Sequence, residues 1–129
     1  MTHRLRWIIP VFMLLISTSF FGQEAQTAGD DLFARAVELY RQEQYWSASE
    51  LFGKLEKNNV DGLASLSASY RLLCEIALED QAAEKRVARW EQLYPSAPLK
   101  NQVYYHLGNL YASRNLFSEA VAAYGKVKI

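Results

Sequence analysis

The sequence predicts an all-α chain built from repeated helix hairpins. In residues 101–113 the apolar side chains recur at intervals of three and four, which is the pattern of one helix face. Residues 117–127 resume that period after the break "SRN" at 113–115. Two amphipathic helices joined by so few residues lie antiparallel. Only six glycines and three prolines interrupt 129 residues, half of which are hydrophobic, so long helices around a packed core are expected.

Two small residues indicate where the helices of this hairpin approach each other closely. Gly108 lies in mid-helix, where glycine costs about 1 kcal/mol relative to alanine, so the position needs a steric reason. We expect Gly108 and Ala120 to lie where the two axes come nearest, because a larger side chain would hold them apart. The space on either side is then filled by aromatic rings, those of Tyr104, Tyr111, Phe117 and Tyr124.

The same pattern occurs earlier in the chain and predicts three repeated units. Residues 31–57 carry a similar hairpin pattern, and Ala48 corresponds to Ala120, 72 residues later, which is two units of 36. Ala36 corresponds to Gly108. A weaker third copy lies between them. In the second helix of the first copy, Tyr45, Ala48, Phe52 and Leu55 correspond to Phe117, Ala120, Tyr124 and Val127. In the first helix of the middle copy, Tyr70 corresponds to Leu107, Arg71 to Gly108 and Cys74 to Tyr111. In its second helix, Ala83, Val87 and Trp90 correspond to Ala120, Tyr124 and Val127.

These units resemble tetratricopeptide repeats, a helix-turn-helix family with a period of 34 residues. The resemblance covers residues 29–129, with units near 29–62, 63–97 and 98–129. The segment "LYPSAPLKNQVYYHLGNLY" is also similar to tetratricopeptide proteins of the bacterial cell envelope. The resemblance implies a right-handed α-solenoid of about three hairpins, whose first helices line a concave face that docks protein or peptide partners.

The resemblance also implies which side chains face that groove. The partner-binding candidates are Phe33, Tyr40, Arg41, Tyr105, Asn109 and Ser113. Tyr40 and Tyr105 could instead pack on neighbouring units. Relatives that grip a carboxylate tail use lysine and asparagine, and here only Asn109 matches, so that ligand is not expected. The remaining positions that the family pattern assigns to the groove are Asp30, Val37, Ser65, Ala68, Leu72, Glu75, Ile76, Gln102 and Ala112.

The N-terminus predicts export. Arg4 and Arg6 precede the apolar run at 7–21, and polar residues follow it. This order is typical of a secretory signal peptide, which we place at residues 1–22, followed by a linker at 23–28. The alternative is an inner-membrane anchor formed by residues 7–21, although this run is short for a bilayer span and contains a proline. We therefore expect a periplasmic or envelope-associated protein.

Composition argues against several classes of function. Without Arg4 and Arg6 the chain has 12 Lys and Arg against 14 Asp and Glu, so nucleic-acid binding has no electrostatic support. Cys74 is the only cysteine and lies on an apolar helix face, which favours a buried, unreactive thiol. His106 has no ligand partner nearby in sequence. The sequence therefore predicts no catalytic residue, no metal and no cofactor. A solvated surface is the favoured interpretation of the basic patch Lys85, Arg86 and Arg89.

The last repeat ends at "GKVKI", without a polar capping helix. Its apolar side is then expected to be exposed unless it pairs with another molecule. Either the sequence is part of a longer repeat protein, or this end docks on a partner, or two chains stack end to end. Two functions remain open at this point. One is a non-enzymatic scaffold that docks a partner on its concave face. The other is a structural or self-associating segment of a longer or oligomeric repeat protein.

Overall fold

Six helices make up most of the described chain. The computed structural model describes residues 29–59 and 62–129, and within them no strand occurs, which confirms the all-α prediction at that level. The predicted signal peptide and linker, residues 1–28, lie outside the described residues. The helices are α1 (29–41), α2 (Tyr45–Asn58), α3 (Ala64–Ala77), α4 (Ala83–Leu93), α5 (Lys100–Ser113) and α6 (Phe117–Gly125).

The same left-handed turn closes the first helix of each hairpin. Glu43, Glu79 and Asn115 have φ values of 60°, 55° and 60° and are spaced 36 residues apart. In every case this residue's N–H bonds to the carbonyl three residues back, and the next N–H bonds to the carbonyl five residues back, at 2.8 to 3.0 Å. This is the Schellman motif, which satisfies the last carbonyls of a helix and turns the chain sharply. The 36-residue period is therefore present in the backbone.

Helices pack in an order that joins each hairpin to the next. α3 packs against α2, α4 and α5, and α6 packs against α5. α1 is held to α2 and α3 by aromatic contacts. Tyr70 on α3 is the centre of this junction: its ring stacks on Phe52 with centroids 4.9 Å apart, and the Phe33 and Tyr40 rings meet it edge-on at 6.1 and 5.4 Å. Such aromatic pairs stabilise beyond the area that they bury.

Most of the residues that the repeat pattern predicts to lie in the core are buried. Ala48, Phe52 and Leu55 are almost completely buried with Ala36 and Cys74 in a core between α1, α2 and α3. A second core joins α3 to α6 and includes the predicted Ala83, Val87 and Trp90. The prediction for Phe117 was wrong: its side chain is 62% exposed, because α6 has no helix on its outer side in the described chain.

The predicted alignment of the middle hairpin was wrong by one residue. Leu39, Glu75 and Tyr111 supply the carbonyl that accepts the five-residue turn bond, so they are equivalent. Glu75, and not Cys74, therefore stands where Tyr111 does. The small position of Gly108 is then held in this hairpin by buried Leu72, and not by Arg71. In the helix that follows, α4 begins two residues later than the starts of α2 and α6 would place it on the 36-residue spacing, and Asp80 in the turn before it accepts the N–H of Ala82 at 2.9 Å.

Gly108 lies at a close contact, as predicted. A Cβ atom at this position would come within 2.5 Å of the Tyr124 ring on α6, well inside van der Waals contact. Ala120 is buried in the same core. Gly53, in the middle of α2, differs: a Cβ atom there would meet only the Arg71 guanidinium, at an ordinary 3.7 Å.

Alanine substitutions at these two glycines should therefore have opposite effects. Gly53→Ala should raise the free energy of unfolding by up to about 1 kcal/mol, because alanine favours the helix. Gly108→Ala should lower it by about 1 kcal/mol net, because displacement of the Tyr124 ring outweighs the same helix gain. Urea denaturation followed by circular dichroism measures both. Equal stabilisation by the two alanines would contradict the contact between Gly108 and Tyr124.

Candidate functional site

A groove on the face of the first helices brings together all three hairpins. Its volume is about 290 Å³. We call it the first-helix groove. Its floor is apolar, and polar groups lie along its edges. The lining residues are Tyr40, Tyr45, Leu73, Ile76, Ala77, Glu79, His106, Asn109, Leu110 and Ser113.

Two tyrosines form one end of the groove. The Tyr40 and Tyr45 rings meet edge-on with centroids 5.8 Å apart, and both rings belong partly to the core below. Burial is the main reason that the pKa of Tyr40 is raised, followed by the nearby Tyr45. Burial also raises the pKa of Tyr45, and the negative charge of Glu43 raises it further. Both phenols therefore remain neutral hydrogen-bonding groups at neutral pH.

The third hairpin supplies the opposite end. Asn109 and Ser113 are one helical turn apart on α5, so both side chains lie on one face. Asn109 is oriented by α6, because the Tyr124 hydroxyl donates a hydrogen bond to its side-chain oxygen. The Ser113 hydroxyl donates to the Leu110 carbonyl at 2.7 Å. These contacts fix both side chains before any ligand arrives.

The structure separates the six predicted binding residues into two groups. Tyr40, Asn109 and Ser113 line the first-helix groove. Phe33, Arg41 and Tyr105 do not. Phe33 packs inside the junction, 6.0 Å from the Phe52 ring centroid. Arg41 is exposed at the end of α1. Tyr105 is 52% exposed and lies beside Tyr124, with ring centroids 6.1 Å apart.

Sequence reasoning assigned Ile76 of α3 to the groove but missed Leu73 and Ala77, because of the one-residue alignment error. The turns are 36 residues apart, so the residues of α3 that are equivalent to the predicted Val37, Tyr40 and Arg41 are Leu73, Ile76 and Ala77. These three residues line the groove. The signal was available, since Ala48 and Ala120 already defined the 36-residue period. The other residues that were missed are Tyr45, Glu79, His106 and Leu110.

A larger cavity of about 780 Å³ lies between α2 and α4, above α3. Three residues assigned to the concave face from sequence, Ala68, Leu72 and Glu75, line this second-helix cavity instead. Its floor is a chain of ion pairs that starts at Glu56, where the Tyr94 hydroxyl donates a 3.1 Å hydrogen bond. The chain continues through Arg71, Glu75, Arg86 and Asp80, with N–O distances of 2.9 to 3.4 Å.

Glu75 is the unusual member of this network. Its side chain is only 5% exposed, and its Oε1 atom accepts from both Arg71 and Arg86, at 3.0 and 2.9 Å. Its Oε2 atom is buried and has no hydrogen-bond partner among the described residues. The equivalent positions hold Leu39 and Tyr111. A buried carboxylate that has one oxygen without a hydrogen bond costs free energy in an apolar position. Glu75 therefore lowers the free energy of unfolding, although it holds the Arg71 and Arg86 side chains in place.

The surroundings of two further titratable groups, Asp80 and Cys74, fix their protonation states. The Ala82 N–H and then Arg86 lower the pKa of Asp80, which keeps this carboxyl charged at the start of α4. Burial raises the pKa of the Cys74 thiol to about 12, so the thiol stays protonated and unreactive. Within the described part of the chain, no group of three His, Cys, Asp or Glu side chains could hold a metal ion.

Known proteins add no further constraint on the site. Comparison with protein-family models, with curated proteins and with solved structures found no match to this chain. None of the described helices is both long enough and apolar enough to cross a membrane.

Two substitutions at Glu75 should separate the cost of its charge from its role in packing. Glu75→Gln should lower the free energy of unfolding by about 1–3 kcal/mol, because its buried amide group gains a donor without an acceptor. Glu75→Leu should be close to neutral, because Arg71 and Arg86 are partly exposed and leucine is the residue of the equivalent position in the first hairpin. Urea denaturation at neutral pH compares them. A leucine variant less stable than the glutamine variant would show that the ion pairs hold the fold.

Proposed function

We propose that this chain is a non-enzymatic docking module, a right-handed solenoid of three tetratricopeptide-like hairpins that binds an extended segment of a protein partner. The first-helix groove carries this proposal. It draws lining residues from α1, α3 and α5 and has an apolar floor with polar edges, which suits a peptide whose side chains need area and whose backbone needs hydrogen bonds.

The groove is preferred over the larger second-helix cavity for a physical reason. Part of the lining of the second-helix cavity consists of charges that already pair with one another through Arg71 and Arg86. A charged ligand group that reached this network would have to replace existing ion pairs and so gain little. The first-helix groove has Leu73, Ile76 and Leu110 in its lining, so that an apolar side chain gains burial without breaking a contact.

We further propose that the module works in the bacterial cell envelope. The support is the order of the N-terminus: Arg4 and Arg6, an apolar run at 7–21, then polar residues. Cleavage after Gly22 would leave Gln23 as the first residue, whereas an anchor would retain residues 7–21. Mass spectrometry of the chain recovered from the envelope fraction distinguishes the two.

Photocrosslinking in cells should capture the partner at the groove. With p-benzoylphenylalanine in place of His106, which is exposed on the groove, we expect one defined crosslinked band. The same amino acid in place of Glu84, exposed on α4, is the matched control and should give none. Gel mobility and mass spectrometry provide the measurement. Equal crosslinking at both positions, or crosslinking only at Glu84, would refute docking in this groove.

A second function, self-association or stacking on further repeats, is favoured by the outer face of α6. Phe117 and Val121 lie one turn apart and are 62% and 70% exposed, and Tyr124 is also exposed. Tyr124 corresponds to Phe52, which is fully buried under Tyr70 of the next hairpin. An apolar helix face left open in this way is typical of an interaction surface.

A charged substitution on the outer face of α6 tests whether the chain self-associates through it. If two copies meet through α6, Val121→Asp should weaken the association at least about tenfold, because it places an unpaired carboxylate in an apolar contact. Lys85→Asp on exposed α4 is the control and should leave association unchanged. Sedimentation velocity over a dilution series measures both. A parent chain that stays monomeric at every concentration would exclude self-association.

A further inference from the structure

The charge around the first-helix groove has one sign. Glu79 is the only Asp, Glu, Lys or Arg among the described residues that line it. Glu43 stands just outside, close enough to Tyr45 for its charge to act on that phenol. Neither Glu43 nor Glu79 has a cationic partner within 4.0 Å in the described part of the chain. The charge of the lining is therefore acidic.

The nearest cations do not cancel this charge through an ion pair. Arg114 approaches Glu79, but its guanidinium donates to the backbone carbonyl, at 3.3 Å, and not to the carboxylate. Arg41 is exposed on α1 and is not part of the lining. An anionic segment would thus meet a carboxylate, with no lysine or arginine among the described lining residues.

The aromatic rings add a second attraction of the same kind. Tyr40 and Tyr45 belong to the same lining as Glu79, and tyrosine faces attract ammonium and guanidinium groups. The apolar residues Leu73, Ile76 and Leu110 also belong to this lining. The lining therefore combines cation-attracting groups with apolar residues, which is complementary to a basic side chain that has apolar neighbours.

We propose that the segment that docks in the first-helix groove carries a lysine or arginine side chain flanked by apolar residues, and that this cation is held by the Glu79 carboxylate and the Tyr40 and Tyr45 rings of the lining. The inference depends on the proposed docking function and specifies its ligand. A partly exposed ion pair and a cation–π contact each contribute modestly, so together they should favour a cationic peptide about three- to tenfold over a neutral one.

The test compares three blocked peptides that differ at one position. The probes are acetyl-Gly-Leu-X-Leu-Gly-amide with X as lysine, glutamine or glutamate, titrated into the full, ¹⁵N-labelled chain and followed by NMR. We expect the lysine peptide to bind about three- to tenfold more tightly than the glutamine peptide, and the glutamate peptide to bind most weakly. The amide shifts should be largest at Ala77, Asn109 and Ser113.

The decisive variant is Glu43→Asn with Glu79→Asn. Both glutamates occupy the left-handed turn position that holds Asn115 in the third hairpin, and asparagine tolerates this conformation better, so the variant should fold at least as well as the parent. It should lose most of the preference for the lysine peptide and keep only the smaller part that the Tyr40 and Tyr45 rings supply. Glu50→Gln, at an exposed acid on α2, is the control and should keep the preference.

The outcomes separate this inference from the function on which it depends. Groove shifts of equal strength with all three peptides, or tighter binding of the glutamate peptide, would overturn the cationic ligand and leave groove docking intact. A lysine preference whose shifts map to α2 and α4 would place the cation in the second-helix cavity and also overturn it. If no peptide shifts any groove amide, both the inference and the proposed docking of short extended segments fail.

Discussion

The left-handed turn at Glu43, Glu79 and Asn115 is the constraint on which the rest of the structure depends. It satisfies the last carbonyls of each first helix and returns the chain antiparallel within a few residues. Because its spacing is 36 residues in both intervals, the first helices of successive hairpins present equivalent positions to the same side. The groove is a consequence of this spacing: Leu73 and Asn109 are equivalent residues that meet in its lining.

The residues that face each other within a hairpin differ in type from one hairpin to the next, but a large residue is always paired with a smaller one. Ala36 shares a core with the large Phe52, Gly108 lies against the large Tyr124, and Leu72, at the same position in the middle hairpin, shares its core with the smaller Val87. A larger residue on one helix thus accompanies a smaller one on the other, which avoids overpacking between the two helices of a hairpin. This explains how the middle hairpin departs from the pattern of its neighbours and still adopts the same fold.

The sequence predicted the helices well because helical periodicity is a local property of the chain. It predicted the site less well because a groove depends on which face of each helix is turned outward. The two clear copies assigned Tyr40, Asn109 and Ser113 to the concave face, and these residues line the groove. Leu73 and Ala77 were not assigned, because they share a helix with Glu75, whose charge in an apolar position disguised the alignment. Phe33 lies in the aromatic junction and not in the groove lining, since an aromatic residue suits both environments.

The two faces of α3 differ in whether their charges are paired within the chain. One face holds Glu75, whose two arginines link α3 to α4 and bring Glu56 of α2 into the same network. The other face holds Leu73, Ile76 and Ala77, which are apolar and border the first-helix groove. Charges on the first face are matched within the chain, while Glu79, at the end of the second, has no ion pair among the described residues. A charge that the fold does not use is available to a ligand, and this makes the groove side of α3 the side on which recognition is expected.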